Sequence, residues 1–379
     1  LKGTALGIQA GIGNFGVSLA QFVTPVILSI ALYGAPSTFT KIDVKEAKEI
    51  FATTSLDQQA QLFSTLDLKK QEAILSNVDA KVLDSVKAAI NSRDHSQIFV
   101  SLPLATKSKI IDNANPKLAE IFLETLRPGN KAVTNQEIYI QSAAFWYVPF
   151  LIIMAILSWF YLKSIPMKAS ITEQLDIFKS KHTWYCTITY LMTFGTFAGL
   201  SAAFPLMIKF LYGEFPGAPD PLKYAFYGPL IGSASRVLFG FIADKVGGAI
   251  LTTITGLGIL GGTVILVTQG LVAPTSMEQF PLFVGIILMI FFFTGVGNAG
   301  TFRQYPIIFG DNPRQAAGVI GWTAAVAAFG PFIFSKLIGA NISSNGGANQ
   351  FFIGLIIFSL IATFINWWFY NRKGCEKPS

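Results

Sequence analysis

Eight separate apolar runs, at about 4–33, 143–163, 184–212, 223–243, 249–269, 281–309, 318–339 and 351–370, constrain this chain more than any other feature of it. A helix rises about 1.5 Å per residue, so roughly 20 residues cover the ~30 Å hydrocarbon core of a bilayer. In that medium every backbone N–H and C=O must find a partner inside the protein, and runs of this length satisfy the demand as helices. Composition agrees: the chain is 52% hydrophobic and only 13% charged, where a soluble domain carries about a quarter charged residues. The expected fold is all-α, a polytopic helix bundle whose surroundings are a lipid bilayer.

Several classes are set aside on the same evidence. The net charge of +7 comes without a dense Lys/Arg patch interleaved with aromatics, so nucleic acid is not an expected partner. Cys186 and Cys375 lie in an apolar run and in the tail, which is no disulfide framework. No nucleophile–base pair or metal-ligand cluster stands out, so neither an enzyme nor a cofactor is expected. Leu1 is not a start methionine, and the first run follows it within a few residues without a cleavage-like end. A longer parent protein is therefore expected.

Between the first two runs lies a segment of different character, 35–141, with about 13 basic and 13 acidic residues. Leu66 to Asn77 and Val78 to Ile90 place apolar residues among charged ones at helical spacing, with Asp67 where an N-cap belongs. The chain thus divides into a first spanning helix (1–34), a small helical extramembrane insertion (35–141), a second helix with its linker (142–183) and a six-helix bundle (184–379).

Charge in the short connections orients the bundle. Lys168, Lys179, Lys181, Lys245, Arg314, Arg372, Lys373 and Lys377 fall on one side, and the opposing loops 213–222, 270–280 and 340–350 hold no Lys or Arg. The basic side is cytoplasmic. Alternation then puts the insertion outside, in the periplasm if the membrane is an inner one.

Inside the runs, charge is nearly absent, which makes Arg236 informative. It lies eight residues before Asp244 at the inner boundary, about 12 Å deep at the helical rise. An arginine there costs at least about 2.5–3.5 kcal/mol unless it meets a polar cavity or a partner. No acidic residue lies inside the other runs. Two readings stand: an anion site whose ligand completes the pairing, or an arginine tied to backbone carbonyls or to a carboxylate in the rest of a longer protein.

Other segments carry polar or small residues at helical spacing. Gly3, Gly7 and Gly11 fall four apart, while Asn14, Ser18 and Gln21 form a separate polar stripe on the same helix. Thr294, Asn298 and Thr301 repeat that spacing, and Arg303 beyond them is close enough to the cytoplasmic end to snorkel. Tyr190, Phe194 and Phe197 make an aromatic stripe that serves either packing or a flat ligand.

Gly240-Phe-Ile-Ala-Asp244-Lys245-Val-Gly-Gly248 resembles the G-x-x-x-D-[RK]-x-x-G loop of the major facilitator superfamily. Within that superfamily, Gly11-Ile-Gly13-Asn14-Phe-Gly16-Val-Ser18 is similar to the helix-five signature of nitrate/nitrite porters. Tyr190 to Ser201 is similar to their helix seven, Gly295-Val-Gly297-Asn298-Ala-Gly-Thr-Phe302 to their helix-ten motif, and Gly321 to Phe332 to their helix-eleven signature. Gly300, Ala324, Pro331 and Ser335 depart from the usual pattern.

The resemblance implies helices five to twelve of a twelve-helix bundle, with helices one to four and a partner arginine on helix two supplied by the rest of the protein. It implies Arg236, Tyr190, Phe194, Asn14 and Gly321 as nitrate- and nitrite-binding positions. It implies Gly13, Gly16, Gly240, Asp244, Lys245, Gly297 and Asn298 as motif or gating positions. Proton relays in membranes use Asp, Glu or His; His95 and His182 fall outside the runs, so exchange of nitrate for nitrite is expected over proton symport. A carrier of another small solute or organic anion, and a membrane-anchored sensor working through 35–141, remain as alternatives.

Overall fold

A computed structural model describes residues 2–42, 133–163, 170–213, 215 and 218–379 of the protein. The amphipathic segments expected between Leu66 and Ile90 lie outside these residues. The chain forms two compact units, Leu1–Val26 with Leu157–Ser379, and Ile27–Ile156.

The first unit is a helix bundle. α1 spans Lys2–Ile27. The second spanning run holds α2 (Ser142–Phe145), which belongs to the other unit, and α3 (Val148–Tyr161), which begins there. A short α4 (Ile171–Gln174) leads into α5 (Lys181–Tyr190), a π-helical stretch Leu191–Gly195, and α6 (Thr196–Met207). Then come α7 (Pro221–Ala225), α8 (Tyr227–Val246), α9 (Gly248–Thr268) and α10 (Phe280–Ile308). α11 (Pro313–Ala327), α12 (Gly330–Asn345) and α13 (Asn349–Asn366) complete it. Among the described residues eight helical spans are long and apolar enough to cross a membrane, in agreement with the eight runs.

Local chemistry explains the boundaries. Asp220 accepts from the Leu222 N–H and Pro221 opens α7; Asn312 accepts from the Gln315 N–H and Pro313 opens α11. Only Gly247 separates α8 from α9, at φ +101°, a backbone conformation that suits glycine. The run expected as one helix over 318–339 is two, α11 and α12, broken at Ala328–Phe329 just before Gly330-Pro331.

α10 is the central element. Gly295 lies so close to Gly232 and Ser235 of α8 that a Cβ there would overlap them, and Gly300 approaches the Gly248 carbonyl and Thr252 of α9. Small residues at such contacts let backbones meet where lipid offers no hydrophobic drive. Polar side chains add a second tie. Gln304 donates to Asn366 Oδ1 (2.9 Å), and Asn366 donates to the Ala249 carbonyl (2.8 Å) and Thr253 (2.9 Å).

In the second unit, strands β1 (Ser37–Ile42) and β2 (Val133–Ile138) pair antiparallel, Ser37 opposite Ile138 and Ile42 opposite Val133. The insertion was expected to be helical; its described ends are this ladder. Ser142 accepts from the Leu32 N–H at 3.1 Å, and Tyr33 stacks on Phe145 at 4.7 Å, fastening the base of the ladder.

Candidate functional site

Arg236 stands in the middle of α8 and is 1% exposed. Gly232 and Gly240, one turn to either side, let α8 approach Phe197 on one flank and the α1 backbone on the other. Its guanidinium lies over the Phe302 ring of α10, 4.5 Å from Cζ to the centroid. The Tyr190 hydroxyl, at the end of α5, is its polar neighbour. The Nε and Nη2 groups have no hydrogen-bond partner. Among the described residues no carboxylate pairs with it, so the cation is buried, stacked and only partly satisfied. That is the condition under which an anion gains most from binding.

The aromatic stripe continues from this point. Tyr190 stacks on Phe194 (5.3 Å, 9°) and tilts against Phe302 (5.3 Å); Phe194 continues to Phe197 (5.9 Å), which meets Phe291 edge-on. Tyr190 and Phe194 flank the junction where α5 gives way to the π-helical stretch. Such bulges re-aim side chains and recur at functional positions. An apolar cavity of about 450 Å³ lined by Leu191, Thr196, Phe334, Asn341 and Phe351 adjoins the same stretch; it holds no charged side chain and does not include Arg236.

The α1 stripes have distinct partners. Gly7 sits against Gly240, and Gly11 against Ser233 and Val237. Farther along, Ser18 donates to the Phe226 carbonyl and Gln21 to the Ser201 carbonyl, both at 2.9 Å. Asn14 lies between these contacts on the same helix, its Nδ2 buried without a partner. Gly13 and Gly16 are exposed, and a Cβ at either would meet nothing within 4 Å. Gly321 is likewise exposed and open, so the described residues do not bring it against the guanidinium.

At the other end of α8, Asp244 accepts from the Gly3 N–H (3.0 Å), the Thr4 N–H (2.8 Å) and the Thr4 hydroxyl (2.7 Å). Arg303 pairs with the same carboxylate at 2.9 Å, so this arginine is held by Asp244 rather than snorkelling free. Lys245 is exposed. Gly297 packs against Thr193 and Thr255, and Asn298 is fully buried.

One sequence expectation needs correction. His182 was placed outside the spans; it lies in the first turn of α5, 7% exposed, with Nδ1 2.9 Å from the Tyr370 hydroxyl and Nε2 3.2 Å from Glu376. The expected run opens at residue 184, three positions after α5 begins at Lys181. Lys181 and His182 hold the Glu376 carboxyl below the usual carboxylate range, chiefly through the Lys181 hydrogen bond.

Residues 37–131 match the family described as the MgtE intracellular N domain. The "Probable nitrate/nitrite antiporter NarK2" of Thermus thermophilus is 43% identical over 382 residues, covering 100% of this chain and 65% of that protein. The "Nitrate/nitrite transporter NarU" of Salmonella typhimurium is 31% identical and that of Escherichia coli 30%, each over 61% of this chain and 53% of its own length. The chain thus spans just under two thirds of the first relative and about half of the other two. A crystal structure of the E. coli fucose:proton symporter FucP covers 96% of both chains at 10% identity, with a TM-score of 0.47. The chain is thus similar by sequence to nitrate/nitrite transporters, and its eight described helical spans are long and apolar enough to cross a membrane.

Proposed function

We propose that the protein carries nitrate and nitrite across the membrane by alternating access, exchanging one for the other at Arg236. The observation that carries this reading is a guanidinium 1% exposed, with two nitrogens unpartnered and no carboxylate neighbour among the described residues. Nitrate is planar and spreads one negative charge over three oxygens; guanidinium is planar, permanently charged and forked. Tyr190, Phe194 and Phe302 supply flat faces and Asn14 of α1 an unpartnered Nδ2. Gly321, exposed and open among the described residues, is kept as a proposed substrate-binding position.

Exchange follows from the cost of returning empty. A buried cation without an anionic partner is several kcal/mol uphill, so the site crosses its closed state most easily with an anion aboard in each direction. The Asp244 contacts with Gly3, Thr4 and Arg303 tie the cytoplasmic ends of α1, α8 and α10, and they serve as the gate that opens on that side. Gly240 and Lys245 belong to the motif around it, and Gly13, Gly16 and Gly297 are proposed motif positions of α1 and α10.

The test is counterflow in vesicles containing the full-length protein. Labelled nitrate enters nitrite-loaded vesicles without a proton gradient, and empty vesicles stay near background. Uptake that needs a proton gradient and no internal nitrite overturns the proposal.

A further inference from the structure

Asn298 is 0% exposed, and neither its Oδ1 nor its Nδ2 has a hydrogen-bond partner. A buried amide left in that state is costly, so native interiors pair such groups. Its neighbours on the polar stripe of α10 are satisfied. Thr294 donates to the Phe291 carbonyl (2.7 Å) and Thr301 to the Gly297 carbonyl (2.9 Å). Ser235, across on α8, donates to the Gly232 and Phe292 carbonyls. Asn298 alone of this stripe keeps its polar atoms uncommitted.

Its place in the helix says what it can reach. Gly295, three residues earlier, touches α8 at Gly232 and Ser235, the residue before Arg236. Phe302, four residues later, lies under the Arg236 guanidinium and against Tyr190. Residues at i, i+3 and i+7 share one helix face, so Asn298 sits on the α10 face that meets Arg236, about 6 Å along the axis from Phe302. Gly297 on the adjoining flank packs on Thr193 within the π-helical stretch. The amide therefore belongs to the gap between α8 and the Tyr190–Phe194 segment.

We propose that Asn298 is a specificity-determining ligand that favours nitrate over nitrite at the Arg236 site. The proposal rests on the reading of Arg236 as the anion's partner. A forked guanidinium takes two oxygens of a planar anion. Nitrite has no others, whereas nitrate has a third, and the Nδ2–H of Asn298 donates to it.

The experiment uses the full-length protein in vesicles, with nitrate and nitrite exchange and thermal unfolding measured for Asn298→Leu, Asn298→Asp and Arg236→Lys. Asn298→Leu, near-isosteric and apolar, folds with unchanged or higher Tm. It raises the nitrate KM roughly ten- to a hundredfold and the nitrite KM by less than about threefold. A purely structural amide predicts no change in the nitrate-to-nitrite ratio, and an unchanged ratio in folded Asn298→Leu overturns the proposal. If Asn298→Leu fails to fold, the isosteric Asn298→Asp decides. A carboxylate there repels both anions and abolishes exchange in folded protein, and an unchanged nitrate KM overturns the proposal. The two readings fail separately. Retained nitrate affinity in Arg236→Lys removes the anion site itself, whereas its loss together with an unchanged ratio in Asn298→Leu removes only the role of Asn298.

Discussion

Phe302 under Arg236 does two things for a buried cation: its face offers the negative end of a quadrupole, and its bulk keeps water from the guanidinium. Replacing it by Leu retains most of the packing and removes the ring. The expected result is folded protein whose nitrate affinity falls by about 0.5–2 kcal/mol, read as a several-fold rise in KM with unchanged thermal unfolding. Unchanged KM would assign Phe302 to packing alone. Arg236 is legible in the sequence because a charge inside an apolar run is costly wherever it appears. Phe302 is not, since it is one of 34 phenylalanines and its spacing marks no partner on another helix. Asn298 is visible as part of a polar stripe, but only the structure shows that Thr294 and Thr301 are spent on their own helix while the amide is not.

Between helices, the four-residue glycine spacing of α1 predicts a close contact, and the structure supplies its partner, Gly240 of α8. A Cβ on Gly7 would lie 2.9 Å from the Gly240 Cα, a backbone atom that cannot swing aside. Gly7→Ala should therefore lower stability by about 1–3 kcal/mol. Gly261→Ala on α9, where a Cβ meets nothing within 4 Å, should be neutral or stabilising by up to about 1 kcal/mol. Thermal unfolding in detergent compares them, and equal shifts would deny the contact. The π-helical stretch Leu191–Gly195 and the break at Ala328–Phe329 escape the sequence for a physical reason. Both change the hydrogen-bond ladder without changing the apolar content on which a run is recognised. The β1–β2 pair escapes because Ser37–Ile42 and Val133–Ile138 are nearly a hundred residues apart in the chain, and no local spacing announces such a pairing.

For the whole molecule, we propose from the charge in the short loops that the insertion lies outside, while the family matched by residues 37–131 carries "intracellular" in its description. The loop charges concern this chain directly, so the outer side is the side proposed. Cys186 and Cys375 are buried, which leaves a cysteine introduced at Ser96 as the reporter. A membrane-impermeant maleimide should label Ser96→Cys in intact spheroplasts of cells making the full-length protein. Labelling only in inverted vesicles would reverse the topology. The proposed exchange cycle depends on the centre of the bundle, where we propose that the stacked Arg236 guanidinium takes a flat anion. The most direct measurement is a nitrate-binding isotherm on purified full-length protein beside its Arg236→Lys variant. Lysine preserves the charge and loses the planar fork, so at least about a tenfold loss of affinity is predicted with unfolding behaviour unchanged; equal affinity in the two proteins would contradict the account.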